Sequence, residues 1–236
     1  KKVRKVFSKN VLKIISVGRL VDQKDQITLL KALKSLKEKI SFNLIIIGRG
    51  VNKDKIKNYV HQNKMNKFVK IFYTNNPFPY VKQADLLILS STFEGLPNVL
   101  LEAITLKKFV ISSNCPTGPR EILDNEKGGF LYEVGEYKSL SKKIEQYLKS
   151  KKSLKKKIKY ANKRLIRFNY QKNLNRSFDL DEKTLWTLQE RQALYYQNLF
   201  LISQKRLNGN KGPENILQCE GGSYLDLQYQ YRETNQ

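Results

Sequence analysis

Short runs of branched apolar residues, each followed by a stretch of helical spacing, recur between about residues 13 and 132 of this chain. Lys13-Ile14-Ile15-Ser16-Val17 ends at Gly18, and Ile27, Leu30, Leu33 and Leu36 then share one helical face. Phe42–Ile47 is broken by Gly48-Arg49-Gly50, and a helical stretch covers about 53–63. Phe68–Phe72, Leu86–Leu89, Phe109–Ser112 and Gly129–Tyr132 read as four further strands. Asn75-Asn76-Pro77 marks a turn, a short helix lies near 80–84, and Pro97 opens a helix to about Leu106. Strands that are apolar on both faces and alternate with helices predict a parallel sheet covered on both sides. Right-handed crossovers make that a doubly wound, Rossmann-like α/β domain. Ligands of such sheets sit beyond the carboxyl ends of the strands. The loops to inspect are therefore Gly18-Arg19, Gly48–Gly50, Tyr73-Thr74, Ser90–Gly95 and Asn114–Arg120.

Charge separates this segment from the rest of the chain. The net charge is +24. All of it falls within residues 1–171, which hold 37 Lys and Arg against 13 Asp and Glu; residues 172–236 hold 8 of each. Such a field favours polyanions, whether diphosphates, anionic lipid or nucleic acid. Solvated lysines on helix faces are the plainer reading, and aromatics do not interleave with the lysines as base stacking would need, so no nucleic-acid partner is expected. The basic stretch 142–167 could lie against anionic lipid, although its apolar positions suit packing on the sheet. Two cysteines, Cys115 and Cys219, make no disulfide framework, and His61 is the sole His, so neither a His triad nor a zinc site can be built. Cys115 reads as a packed small side chain. No apolar run is long enough to span a bilayer, and Lys1–Lys5 is not followed by the apolar core of a secretory signal. With Met65 the only Met, the chain reads as beginning inside a longer protein. The expected domains are 1–172, Rossmann-like, and 173–236, a helical then poorly ordered tail with a helix near 182–206.

The densest chemistry lies in Phe93-Glu94-Gly95-Leu96-Pro97-Asn98-Val99-Leu100-Leu101-Glu102-Ala103. The backbone N–H groups near Asn98 and Val99 point out of a helix start whose partial positive charge suits phosphate. Gly95 lets a ligand approach the main chain. Glu102, about one turn into the helix, can accept two hydrogen bonds from a ribose diol. Glu94, in the loop, could meet the hydroxyls of a sugar. Gly48-Arg49-Gly50 taken alone is as often just a turn.

This string resembles the C-terminal donor-binding domain of retaining glycosyltransferases of the two-domain GT-B type, in their large fourth family. Two Glu separated by seven residues mark that family, and Glu94 and Glu102 have this spacing. Ser16-Val17-Gly18-Arg19-Leu20 with Gln23-Lys24-Asp25, Asn76–Tyr80 and Cys115–Ile122 also follow its pattern, over about residues 11–172. The resemblance implies that Arg19 and Lys24 hold the donor diphosphate, next to Gly18. It implies that Glu94 contacts the transferred sugar, with main chain at Gly95, Leu96 and Asn98, and that Glu102 takes the ribose. Gly48 and Gly50 would bring a loop to the nucleotide, and main chain near 72–74 would face the base. Arg19, Lys24 and Glu94 are thus the expected catalytic residues.

A retaining transfer expels a nucleoside diphosphate, and fixed cations with helix N–H groups stabilise the developing charge; no metal or other cofactor is expected. The implied reaction moves a hexose or N-acetylhexosamine from a UDP- or GDP-sugar to a glycan or polyprenyl-linked acceptor in cell-envelope polysaccharide or lipopolysaccharide synthesis. The implied location is cytoplasmic, peripheral at the inner face of the membrane. The family's acceptor domain, with its Gly-rich loop, has no counterpart here, so the isolated chain is expected to transfer little. A non-catalytic nucleotide- or polyanion-binding remnant is the alternative.

Overall fold

The computed structural model describes residues 6–168. The expected boundary at 172, the helix near 182–206, the tail 173–236 and Cys219 lie outside the described residues.

Six parallel strands form one sheet: β1 (Leu12–Val17), β2 (Phe42–Ile47), β3 (Val69–Phe72), β4 (Leu86–Leu89), β5 (Phe109–Ser113) and β6 (Phe130–Tyr132). Their spatial order is β3-β2-β1-β4-β5-β6, the doubly wound arrangement. The helices are α1 (Gln26–Leu36), α2 (Lys53–Gln62), α3 (Phe78–Gln83), α4 (Asn98–Thr105), α5 (Pro119–Ile122), α6 (Tyr137–Lys149) and α7 (Lys151–Arg164).

Successive strand residues feed opposite cores, as the two-residue period of a strand requires. Ile14, Leu44, Ile46, Leu86, Ile88 and Ile111 pack with Leu29, Leu33, Ile56, Leu140 and Ile144 of α1, α2 and α6. Ile15, Ile45, Ile47, Leu87, Leu89 and Val110 pack on the other side with Val81, Leu100, Leu101 and Ile104 of α3 and α4. Each fully buried Ile or Leu contributes about 1.5–3 kcal/mol relative to staying in water, which holds the strand ends in place. The last helix, α7, gives Leu154 to the first core and Ala161 to the second, so it passes from one face to the other.

One local expectation shifts. Pro97 is the residue before α4, with extended angles (φ −72°, ψ 102°), and Asn98 is the first helical residue. The basic stretch after 138 is two helices, broken at Ser150 (φ −111°, ψ 30°). Arg120 and Glu121 lie in the short helix α5. Cys115 is buried, as expected, and burial pushes its thiol up from the ordinary value.

Candidate functional site

In the order β3-β2-β1-β4-β5-β6, the chain reverses direction of winding between β1 and β4. These two strands are neighbours (Ile14 beside Leu86, Ile15 beside Leu87). Loops that leave them at their carboxyl ends must diverge, and a crevice opens there. The β1 loop holds Gly18 to Asp25, and the β4 loop holds Ser90 to Pro97.

Hydrogen bonds stitch the two loops together at the base of that crevice. Thr92 N donates to Gln23 O (2.8 Å), and Ser90 Oγ donates to Lys24 O (2.8 Å). Gln23 Nε2 donates to Phe93 O (3.0 Å), and its Oε1 accepts from Arg19 (3.2 Å). Gln26 Nε2 holds Arg19 O (2.9 Å). The β5 loop closes the other side: Thr117 Oγ1 donates to Glu94 O, and Ser113 Oγ to Ser91 O (2.6 Å). Gly118, at φ +84°, fits only because it lacks a Cβ, which would lie 2.1 Å from Gly95 O.

Lys24 Nζ and Glu94 Oε1 form an ion pair at 2.6 Å, with side chains only 17% and 7% exposed. Ser91 Oγ donates to the same carboxylate oxygen. Two charges so shielded from water interact strongly, and removal of either strands the other. Arg19 adds a second cation. Its guanidinium bonds the Gln23 side chain through one nitrogen, which leaves most of its donor fork for a ligand.

Gly95 faces open space, since a Cβ built on it would meet nothing within 4 Å. Immediately beyond lies the start of α4, whose first N–H groups have no acceptor within the helix. Asn98, Leu96 and Val99 are partly buried there, with Leu96 and Val99 packed against the second core. Asn98 Oδ1 is buried and without a hydrogen-bond partner among the described residues. Glu102 sits one turn later on the same helix face as Asn98. Its carboxyl makes no hydrogen bond or ion pair among the described residues, and burial pushes it up to about 7. An acid kept unpartnered and half neutral at physiological pH costs folding energy and is ready to accept a ligand's hydroxyls.

Gly48 and Gly50 bring the β2 loop against the β1 loop. A Cβ on Gly48 would lie 1.9 Å from Gly18 O, and one on Gly50 2.4 Å from Leu20 O. At the end of β3, the guanidinium of Arg49 lies 4.9 Å over the ring of Tyr73, which is half exposed.

The structure thus gathers Arg19, Lys24, Glu94 and Gly95 at one crevice, while Gly48 and Gly50 pack the β2 loop onto the β1 loop that carries Gly18. Glu102 and Asn98 stand on the helix that starts beside them. Sequence reasoning gives no role to Ser91, Gln23, Thr117 or Gly118, which hold Glu94 and its loop. The string Ser91-Thr92-Phe93-Glu94, with a hydroxyl three residues before the acid, signals Ser91, while Gln23, Thr117 and Gly118 stand in stretches that follow the family's pattern without a role of their own. Among the described residues, no three His, Cys, Asp or Glu side chains gather as a metal site, and no helix is long and apolar enough to cross a membrane.

Curated proteins similar to this chain are glycosyltransferases. A glycosyltransferase of Methanocaldococcus jannaschii is 39% identical over 125 residues, 52% of this chain and 30% of that protein. The N-acetylgalactosamine-N,N'-diacetylbacillosaminyl-diphospho-undecaprenol 4-alpha-N-acetylgalactosaminyltransferase of Campylobacter jejuni is 31% identical over 140 residues, 59% of this chain and 38% of that one. Others act in capsular polysaccharide biosynthesis in Staphylococcus aureus and as a lipopolysaccharide galactosyltransferase in Escherichia coli. The chain spans about a third of the length of these curated relatives. Among solved structures, a TarM variant of Staphylococcus aureus crystallised with UDP superposes with a TM-score of 0.62 at 22% identity, over 71% of this chain and 35% of that one. The HepE protein of Anabaena in complex with UDP gives a TM-score of 0.60 at 21% identity, over 65% and 43%. The family model for glycosyl transferases group 1 matches residues 1–164, and the chain belongs to that family.

Proposed function

We propose that this domain binds a UDP- or GDP-sugar at the crevice between the β1 and β4 loops, as the donor half of a retaining glycosyltransferase. The observation that carries the reading is the meeting of Arg19, Lys24 and Glu94 in front of open space at Gly95. Arg19, Lys24 and the α4 N–H groups take the diphosphate. Gly18 leaves room for the Lys24 side chain, and Gly48 lets the β2 loop pack against the β1 loop. Glu94 takes hydroxyls of the sugar, and Glu102 takes the ribose diol. In the transfer, the bond from the anomeric carbon to the diphosphate oxygen breaks, a bond to the acceptor oxygen forms, and the acceptor's hydroxyl proton passes to the departing diphosphate. Charge then grows on the departing diphosphate, where the two cations and the helix dipole stabilise it.

Without donor, the ammonium of Lys24 rests on Glu94. Arrival of the diphosphate gives Lys24 a second anion, so Glu94 is freer to meet the sugar. The acceptor in the intact protein is a glycan or polyprenyl-linked sugar of envelope polysaccharide synthesis, in keeping with the relatives.

Titration calorimetry with UDP-sugar and GDP-sugar tests the reading. Arg19→Ala is expected to weaken donor binding at least tenfold, the usual worth of a charge-assisted pair. Unchanged affinity in both Arg19→Ala and Glu102→Ala would overturn the assignment. A labelled-sugar transfer assay, with and without an added acceptor-binding half, then tests the reaction itself.

A further inference from the structure

The cations of α7 from Lys155 onward fall into two kinds. The helix reads KKSLKKKIKYANKR, eight cations and no acid. Its inward cations are matched one by one. Lys157 donates to Glu126 O and lies 5.4 Å from the Phe130 ring centre, and Arg164 lies 3.8 Å from Asp124 Oδ2. On the neighbouring helix α6, Lys143 pairs with Glu126 at 2.7 Å. The outward cations Lys155, Lys156, Lys159 and Lys163 are exposed and have neither hydrogen bond nor ion pair among the described residues.

At about 100° per residue, these four fall within roughly a 100° arc of the helix surface. Ile166, 50% exposed, continues the row one turn beyond α7. Lys155, Lys159 and Lys163 stand four residues apart, so they repel one another along the helix. Glu145, the one acid of α6, faces Lys39 at 3.8 Å and does not relieve them. Meanwhile the apolar side of α7, with Leu154, Ile158 and Ala161, is already spent on the protein core.

We propose that the outer face of α7 is a docking surface for an anionic lipid bilayer. The face is a row about 16 Å long rather than a groove. It is made of lysine, whose compact charge suits a diffuse negative surface, and not of arginine, whose planar fork suits ordered phosphates. No aromatic ring stands on it to stack a base. The exposed Ile166 at its end can enter the headgroup region, where an apolar side chain gains by leaving water. Contact is electrostatic, with the helix lying along the surface and each lysine near the lipid strengthening binding roughly fivefold.

Sedimentation of the full chain with phosphatidylcholine vesicles, with and without phosphatidylglycerol, tests this. Binding is expected only to the anionic vesicles and is expected to fall steeply with salt. Exchanging Lys155, Lys156, Lys159 and Lys163 together for Gln should lower that binding at least tenfold. A control with the same charge loss elsewhere, Lys53, Lys57, Lys64 and Lys67 to Gln, should lower it less than about threefold. Circular dichroism of both variants checks that each is folded. Equal losses in the two variants would mean that total charge and not this face is responsible, and would overturn the proposal. So would undiminished vesicle binding by the α7 variant. Binding of single-stranded RNA more tightly than anionic vesicles, lost on the same four exchanges, would assign the face to nucleic acid instead.

Discussion

Glu102→Gln is expected to weaken nucleotide-sugar binding on the order of fiftyfold at pH 8 while raising the stability of the fold. Both effects come from one carboxyl. Its folded-state value of about 7 lies above the ordinary 4.5, because burial disfavours the charged form. Between those two values the folded chain retains a proton that the unfolded chain has released. Stability therefore falls as pH rises from about 4.5 to 7, and the loss is complete above 7. The side chain is partly exposed, so the ionised form costs about 1–2 kcal/mol rather than the full value of the shift. Gln removes that cost. The variant should melt about 2–6 °C above the parent at pH 8 and level with it at pH 5.

Binding moves the other way. Ionised Glu102 can accept two charge-assisted hydrogen bonds from a ribose diol, and a neutral amide replaces these poorly. Since the ionised form is needed, the parent should lose about tenfold in donor affinity between pH 8 and pH 6. A nucleotide sugar has no phosphate ionisation of its own in that range, so the dependence can be read directly. In the variant it should vanish. Calorimetry at the two pH values checks the affinity, and scanning calorimetry checks the stability. A pH-independent parent would mean that Glu102 does not meet the ligand.

How much of this is legible in the sequence depends on the distance over which each feature is decided. Ile14 to Val17 and Phe42 to Ile47 are apolar on both faces, and no neighbour is needed to read them as buried parallel strands. Glu94 and Glu102 announce themselves because a loop and helix start fix their spacing locally. The Lys24–Glu94 pair does not, because it joins residues 70 positions apart. Only the adjacency of β1 and β4 brings them together. Gln23 and Thr117 are invisible as supports for the same reason, since each bonds main chain of a distant loop. Pro97 lies one residue before the helix rather than at its first position because a proline is compatible with either place, and Gly118 of a distant loop packs against its ring. The break at Ser150 lies within a continuous basic pattern, where nothing but packing on two different cores turns the chain.

Gly48→Ala and Gly95→Ala should separate stability from binding. The Gly48 methyl would lie 1.9 Å from Gly18 O and 3.2 Å from a methyl of Leu20. A carbonyl oxygen cannot rotate away as a side chain can. Relief requires β1 and β2 to part at their carboxyl ends, where Gly18 N donates to Ile47 O (3.0 Å) and Leu20 N to Arg49 O (2.8 Å). Two backbone hydrogen bonds and the packing of buried Leu20 are at stake, about 3 kcal/mol or more, and a melting temperature lower by about 6–12 °C. Gly95 is the opposite case. Its methyl meets no atom within 4 Å, so the fold should melt within about 2 °C of the parent. That same open space is where the donor is proposed to approach the main chain, so the added methyl should cut donor affinity at least tenfold. Should Gly95→Ala bind nucleotide sugar as well as the parent does, the space in front of α4 is not the donor's. Should Gly48→Ala keep its melting temperature, the close approach of the two loops that sets Arg19 beside the crevice is not a feature of the folded chain.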